Sequence, residues 1–296
     1  MDASARQDRG VAVLTGGSSG IGRWIALGLA RAGLHLVMIA RDPARAAATR
    51  AWLGAQVAGA EPEIVTADLS LLAAARAAAA AIAARHSRIT LLVNNAGLIA
   101  PRRILTAEGH ELVLAVNHLA PFVLTRALLP ALEAAAPARV VNIGSTASDH
   151  ARIDPDDLEG ARGWGVMRAY GQSKLALMMA SLDWAEQLAG TGVTCNVVHP
   201  GLVATEIARH LPFGTLAWRL GRPFMLSPRQ GADTPLYVAL APDLATVSGR
   251  YFKRRRQVPT NPLAQDRALR ARVWAATARL VGEAVAPVGA AAGEGT

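Results

Sequence analysis

Short apolar runs alternate with longer helical stretches through most of this 296-residue chain, and that alternation restricts its fold more than any other feature. Runs of strand length occupy residues 10–15 (GVAVLT), 35–40 (HLVMIA), 63–67 (EIVTA), 90–94 (TLLVN), 139–144 (RVVNIG) and 193–198 (VTCNVV), with a last short one at 249–252. Segments of helical pattern separate them: from the first run to residue 32, then 43–57, 71–85, 107–132 (with a bend at Pro121) and 168–189, and a final one at 265–282. A strand followed by a helix and another strand returns to its sheet as a parallel neighbour, with helices covering both faces. No repeat and no linker interrupts the series. The expected fold class is α/β, a single doubly wound domain over residues 1–283, followed by a disordered Ala/Gly tail at 284–296.

Composition narrows the function classes. Apolar residues make up 52 % of the chain and charged residues 18 %, which fits a folded globular protein. With 4 % aromatics, Ala, Leu and Val must supply most of the core. The net charge of +9 is carried almost wholly by arginine, because Lys174 and Lys253 are the two lysines. These arginines are scattered, as on a basic soluble surface, and no nucleic-acid partner is expected. The run Lys253–Arg256 is read as a solvated turn. A single cysteine, Cys195, excludes an internal disulfide and a multi-cysteine metal site, and its apolar neighbours make it a small core residue. The first ten residues lack a secretory apolar stretch, and no run reaches the ~18 uninterrupted apolar residues of a membrane span. The expected location is cytoplasmic, without a transmembrane segment.

Directly after the first run comes Thr15-Gly16-Gly17-Ser18-Ser19-Gly20-Ile21-Gly22. Glycines between a strand and a helix let the backbone turn tightly and approach a pyrophosphate, whose charge the helix N-terminus favours. The second run ends at Ala40, so Arg41 lies at the tip that faces an adenosine ribose in dinucleotide folds. An arginine there pairs with a 2′-phosphate through its planar fork, whereas an acid would accept from a 2′-hydroxyl. Asp42, one residue on, is read as pointing away. The cofactor expectation is NADP(H) in preference to NAD(H), with Ser18 and Ser19 adding hydroxyls.

Further along, NNAG closes the fourth run, Asn117 lies on the next helix, Ser145 follows the fifth run, and Tyr170 and Lys174 stand four apart in YGQSK. That spacing puts the phenol and the ammonium on one helix face. A phenol with a reference pKa near ~10 is a poor acid–base catalyst at neutral pH, and a neighbouring ammonium is expected to lower it. Ser145 can donate a hydrogen bond to a substrate oxygen.

These motifs together resemble the short-chain dehydrogenase/reductase family, from about Val11 to Phe252. The likeness rests on TGGSSGIG, Asp68 in ADLS, NNAG, Asn117, Ser145, YGQSK and His199-Pro200-Gly201. The resemblance implies a Rossmann-type domain with a seven-stranded parallel sheet, and a catalytic tetrad of Asn117, Ser145, Tyr170 and Lys174. In that family the tyrosine is the general acid/base, the lysine lowers its pKa and binds the nicotinamide ribose, and the serine positions the carbonyl. The asparagine supports a water relay to the lysine. By the same resemblance Thr15, Gly16, Ser18, Ser19, Gly20, Ile21, Gly22 and Arg41 bind the cofactor. Asp68 and Leu69 approach its adenine, Asn95, Ala96 and Gly97 line it, and Pro200, Gly201, Val203 and Thr205 hold the carboxamide. The substrate contacts are Ser145 and Tyr170. VNHLAPFVLT, SPRQGADTPLYVAL, SGRYF and the 25-residue gap from Ser145 to Tyr170 look like the retinol dehydrogenase-like branch, with residues 149–167 as an inserted loop. The serine motif IGSTAS lacks the usual paired serines, and no basic residue precedes Gly20, so Arg41 carries most of the NADP preference.

The implied reaction interconverts a small-molecule carbonyl and an alcohol by hydride transfer. The alternative from another class is a catalytically silent NADP(H)-binding regulatory protein of the same fold. Residues 207–227, with Phe213, Trp218 and Phe224, are read as an aromatic lid over a lipophilic substrate. An oligomer interface and a peripheral membrane contact are the other readings. His199 is read as a turn residue, and His110 and His118 as surface or packing residues. No His/Asp/Glu group has metal-ligand spacing, so no metal is expected. A homo-oligomer is expected by family likeness alone.

Overall fold

The computed structural model describes residues 10–203 and 225–283. The segment 204–224, with Thr205 and most of the expected lid, lies outside the described residues, as do residues 1–9 and the 284–296 tail. Alternation becomes a sheet as expected: β1 (Val11–Thr15), α1 (Gly20–Arg31), β2 (His35–Ala40), α2 (Pro43–Gln56), β3 (Glu63–Thr66), α3 (Leu72–Ala83) and β4 (Leu91–Asn94). A long helix, α4 (Leu112–Ala134), leads to β5 (Ala138–Ile143), and α5 (Val166–Gln187) to β6 (Val193–His199). The short α6 (Pro228–Gly231) and α7 (Asp233–Leu240) then precede β7 (Tyr251–Lys253), β8 (Arg256–Val258) and α8 (Arg267–Leu280).

The sheet order is β3-β2-β1-β4-β5-β6-β7-β8. The seven expected strands are parallel, and β8 adds an antiparallel edge strand paired with β7. Its source is the Lys253–Arg256 run: Arg254 and Arg255 have φ of 49° and 60°, the two positive values that a tight two-residue hairpin requires. The run is a turn, as read, yet not uniformly solvated. Lys253 pairs with Asp149, and Arg255 grips Asp233 through both Nε and Nη2.

Side chains alternate across the strands into two cores. Val13, Val37, Ile39, Leu92 and Val140 meet α3, α4, α5 and α8 on one face. On the other face, Leu14, Met38, Leu91 and Val93 meet α1, α2 and α7. Aromatic residues are few but concentrated: Phe122, Trp184 and Trp274 pack with ring centroids 4.7–5.6 Å apart, locking α4, α5 and α8 together. Cys195 is buried, as expected of a small core residue.

The helix expected over residues 107–132 starts later and is not uniform. Gly109 sits at φ 85°, which a helix does not allow, and Thr106 N donates to His110 O in a closed turn. Within α4, residues Ala115–Leu119 form a single π-turn just before Pro121. A proline lacks the N–H for the helical ladder and crowds the preceding turn, and a π-bulge absorbs that defect. By length and apolarity α4 is the one described helix that resembles a membrane span, but it is packed between β4, β5 and α5 with most of its residues buried.

Candidate active site

Strand order reverses between β1 and β4, and the loops after β1, β2, β4, β5 and β6 gather at this carboxyl edge. Gly16 and Gly20 take φ of 66° and 52° to turn the chain from β1 into α1. A Cβ at Gly22 would meet Gly16 O at 2.1 Å, so only glycine lets α1 start this close to β1. Asn95 fastens the loop: its Nδ2 donates to Thr15 O (3.0 Å) and Gly16 O (3.2 Å). Thr15 Oγ1 in turn accepts from the N–H groups of Asn95 and Ala96, both at 2.9 Å. The hydroxyl of Thr49, on α2, holds Ser18 O at 3.2 Å.

Two observations fit this edge to a dinucleotide. The twelve-residue α1 follows Ser19, which makes no side-chain cap, and has no acidic residue in its first turn, which leaves its N–H groups and positive dipole end for an anion. At β2's tip, Asp42 is consumed as the N-cap of α2, accepting from Ala44 N (2.9 Å) and Arg45 N (3.1 Å). Arg41, the residue before it, is exposed. Further along the edge, Asp68 caps its own turn by accepting from Ser70 N at 3.0 Å, and Leu69 is buried.

The structure brings Asn117, Ser145, Tyr170 and Lys174 to one place. Asn117, in the π-turn, accepts from Leu98 N at 2.8 Å and donates to Leu98 O at 3.0 Å, clamping the loop that follows Gly97. Its Nδ2 also donates to Ser173 Oγ at 3.1 Å, and Ser173 Oγ donates to Tyr170 O at 2.8 Å. Lys174 Nζ donates to Ile143 O at 2.8 Å. A Cβ on Gly97 would sit 3.2 Å from Asn117 Oδ1 and 3.3 Å from Lys174 Nζ, so glycine keeps this junction open. Ser145 opens a 3₁₀ turn (Thr146–Ser148), where its Oγ accepts from Ala147 N at 3.2 Å. Its own proton is then free to bond the Tyr170 phenol.

Electrostatics departs from expectation at Tyr170. Burial pushes the phenol up, and the hydrogen bond from Ser145 offsets only part of that. Lys174 Nζ is 6.0 Å from the phenol ring centroid, and it is itself buried, its pKa lowered to about 8 by desolvation. Desolvation is thus the largest influence on the phenol in the chain by itself. His199 is the last residue of β6 and not part of the turn; desolvation lowers its pKa to about 4, so it is neutral at physiological pH. His118 is buried beside Thr277 Oγ1 at 2.8 Å, and its pKa falls to about 3 through burial, so it packs and does not titrate near neutrality.

Sequence reasoning missed the residues that hold this constellation. Gln172, inside YGQSK, is buried; its Oε1 accepts from Asp154 N at 3.1 Å and its Nε2 donates to the carbonyls of Asp157 and Leu158, both at 3.0 Å. It ties the inserted loop to α5. Asp149 accepts from Tyr251 OH at 3.1 Å and from Lys253, joining the same loop to β7. Beyond β6, Gly201 takes φ 93° and a Cβ there would strike Leu226 Cδ1 at 2.4 Å. Val203 bridges to Leu226, which packs beside Gly201.

Comparison with known proteins identifies the family. The family model for short chain dehydrogenase matches residues 10–213. Retinol dehydrogenase 12 of Bos taurus is 37 % identical over 272 residues, covering 92 % of this chain and 86 % of the relative. Dehydrogenase/reductase SDR family member 13 of Homo sapiens is 40 % identical over 280 residues, covering 92 % and 73 %. Among solved structures, the Pseudomonas aeruginosa RhlG/NADP active-site complex superposes with a TM-score of 0.66 at 32 % identity, covering 82 % of this chain and 93 % of that one. A metagenomic short-chain oxidoreductase in complex with NADP gives 0.62 at 30 % identity, covering 82 % and 95 %. The chain belongs to the short chain dehydrogenase family, as an oxidoreductase of its retinol dehydrogenase-like branch.

Proposed function

We propose that this protein is an NADP(H)-dependent oxidoreductase that interconverts a lipophilic carbonyl and its alcohol, with Tyr170 as general acid/base. The observation that carries the reading is the meeting of Ser145, Tyr170, Lys174 and Asn117 at the carboxyl edge of the sheet. NADP(H), when bound, supplies or accepts the hydride. Thr15, Gly16, Ser18, Ser19, Gly20, Ile21, Gly22, Asp68, Leu69, Asn95, Ala96, Gly97, Pro200, Gly201, Val203 and Thr205 are the residues proposed to hold it, with Tyr170 and Lys174 at its ribose. Arg41 sets the preference for the 2′-phosphate, because Asp42 is engaged in capping α2. Complexes with NADP among the solved relatives support that preference.

In reduction, the phenol proton of Tyr170 moves to the substrate oxygen while Ser145 donates a hydrogen bond to the same oxygen. Burial favours the protonated phenol, which is the form an acid needs at neutral pH. Lys174, an ammonium below about pH 8, stabilises the phenolate left behind. Asn117 acts through Ser173 and Leu98 to hold these groups in register. A lipophilic substrate is supported by the retinol dehydrogenases among the relatives and by the aromatic side chains of residues 207–227. The test is a panel of aliphatic, aromatic and polyene aldehydes and ketones, assayed with NADPH and with NADH. Turnover with NADPH on the apolar members is expected. Cofactor binding without turnover on any member would favour a silent binding protein.

A further inference from the structure

At the opposite, amino-terminal edge of the sheet the structure assembles a cluster that the proposed reaction does not use. His35 opens β2, Glu63 opens β3, and His86 lies in the connection from α3 to β4. Parallel pairing sets Glu63 beside Val37, two residues on from His35, so both side chains stand on the sheet face that α3 covers. His86 N donates to Ile82 O at 2.9 Å, which pins the loop under them. The three potential ligand atoms all lie within 4.8 Å of one another. His35 Nε2 is 2.7 Å from Glu63 Oε1, and His86 Nε2 is 3.2 Å from Glu63 Oε2. The two histidines are mostly buried, with side-chain exposures of 10 % and 13 %, and Glu63 is 30 % exposed.

We infer that His35, Glu63 and His86 form a binding site for one divalent transition metal, with Zn²⁺ as the best-matched ion. Two imidazoles and one carboxylate are a zinc donor set, whereas Mg²⁺ and Ca²⁺ prefer oxygen alone. Zinc–nitrogen and zinc–oxygen bonds of ~2.0–2.2 Å in tetrahedral geometry place ligand atoms ~3.3 Å apart. The 2.7 and 3.2 Å separations need only small side-chain adjustments for each imidazole Nε2 to face a shared ion. A water completes the fourth position. Arg85 Nε stands 3.4 Å from Glu63 Oε2 and opposes a cation, but its side chain is 49 % exposed and free to swing outward. Sequence spacing conceals this group, since Glu63 lies 28 residues from His35 and 23 from His86. The metal would cross-link β2, the edge strand β3 and the α3–β4 connection, far from the catalytic edge, and its role is structural.

The test is isothermal titration of the untagged, chelator-treated full chain with Zn²⁺, alongside thermal melting with and without the ion. One equivalent of Zn²⁺ is expected to bind, and to raise Tm by several degrees. His35→Asn and His86→Asn should each weaken binding at least tenfold, without changing carbonyl turnover in the absence of zinc. A second measurement on the unmodified protein does not depend on the variants folding. Zn²⁺ should protect His35 and His86, and not the exposed His150, from diethylpyrocarbonate as mapped by mass spectrometry. Absence of stoichiometric binding, undiminished binding in both folded variants, or unprotected His35 and His86 overturns the site.

Discussion

The amine of Lys174 donates to the main-chain carbonyl of Ile143 across 2.8 Å, fastening the helix that carries Tyr170 to the strand that delivers Ser145. That bond is made by a side chain only 4 % exposed, and burial lowers the lysine's pKa from 10.5 to about 8. Between these two values the unfolded chain holds a proton that the folded chain has released, so stability rises with pH across the window. Below pH 8 the whole burial penalty is present. Lys174→Met should therefore raise stability at pH 7, by on the order of 1–3 kcal/mol, and flatten the slope between pH 8 and 10.5 while turnover is lost. Denaturant melts at pH 7 and 10 check it; a variant less stable at pH 7 would show that the Ile143 bond outweighs desolvation.

Under the proposed NADP(H) preference, Arg41 would select the 2′-phosphate, because Asp42 is committed to the first turn of α2. Arg41→Asp should lower kcat/KM with NADPH by about tenfold or more, the loss of one charge-assisted pair, with little effect on NADH. An unchanged ratio of the two kcat/KM values would remove Arg41 from the assignment.

Gln172 holds three main-chain groups of the inserted loop. Gln172→Leu leaves the Asp154 N–H and the Leu158 carbonyl without partners, while Asp157 O keeps Gly160 N at 3.0 Å, at a stability cost of about 1–3 kcal/mol. Because that loop borders Ser145 and Tyr170, KM should rise more than kcat falls. Steady-state kinetics of the folded variant separates the two parameters, and a pure kcat defect would contradict a positioning role for the loop.

Asp183 and Arg270 form an ion pair at 3.0 Å between α5 and α8, with exposures of 2 % and 4 %. Burial raises Asp183 from 3.8 to about 7, against the pull of Arg270. Here the folded chain keeps a proton that the unfolded chain has released, so stability falls as pH rises from about 4 to 7. Asp183→Asn should flatten that decline in a series of thermal melts, leaving Arg270 on Glu186 at 2.6 Å. Arg270→Ala removes the cation that holds the Asp183 pKa down, so the carboxyl should stay protonated to higher pH and the loss of stability should grow above pH 7.

The strands and the glycine loop were legible in sequence because each follows from local chemistry. Apolar runs of strand length fix β1 to β6, and the path from Thr15 to Gly22 demands glycine where the backbone turns left-handed or helix meets loop. YGQSK was legible as a pair of functional side chains, but its middle was not. Gln172 and Ser173 do their work through Asp154, Asp157, Leu158 and Asn117, partners 14–56 residues away in sequence. The same distance hid the His35–Glu63–His86 group. The upward shift of Tyr170 in the chain alone was hidden for a different reason: helical spacing reveals that a lysine is near, but not that the phenol is partly desolvated. The π-turn around Asn117 was foreseen only as a bend at Pro121, since periodicity alone does not distinguish a kink from an inserted residue.

The central claim is that Tyr170 moves the proton, and Tyr170→Phe tests it most directly. The substitution removes one oxygen from a side chain whose ring remains packed. NADPH binding, followed by fluorescence titration, is expected to stay within a few-fold of the parent. Carbonyl reduction at saturating NADPH should fall by at least about 10²-fold, the range for a positioned general acid. Tight NADPH binding with turnover near the parental rate would contradict the account.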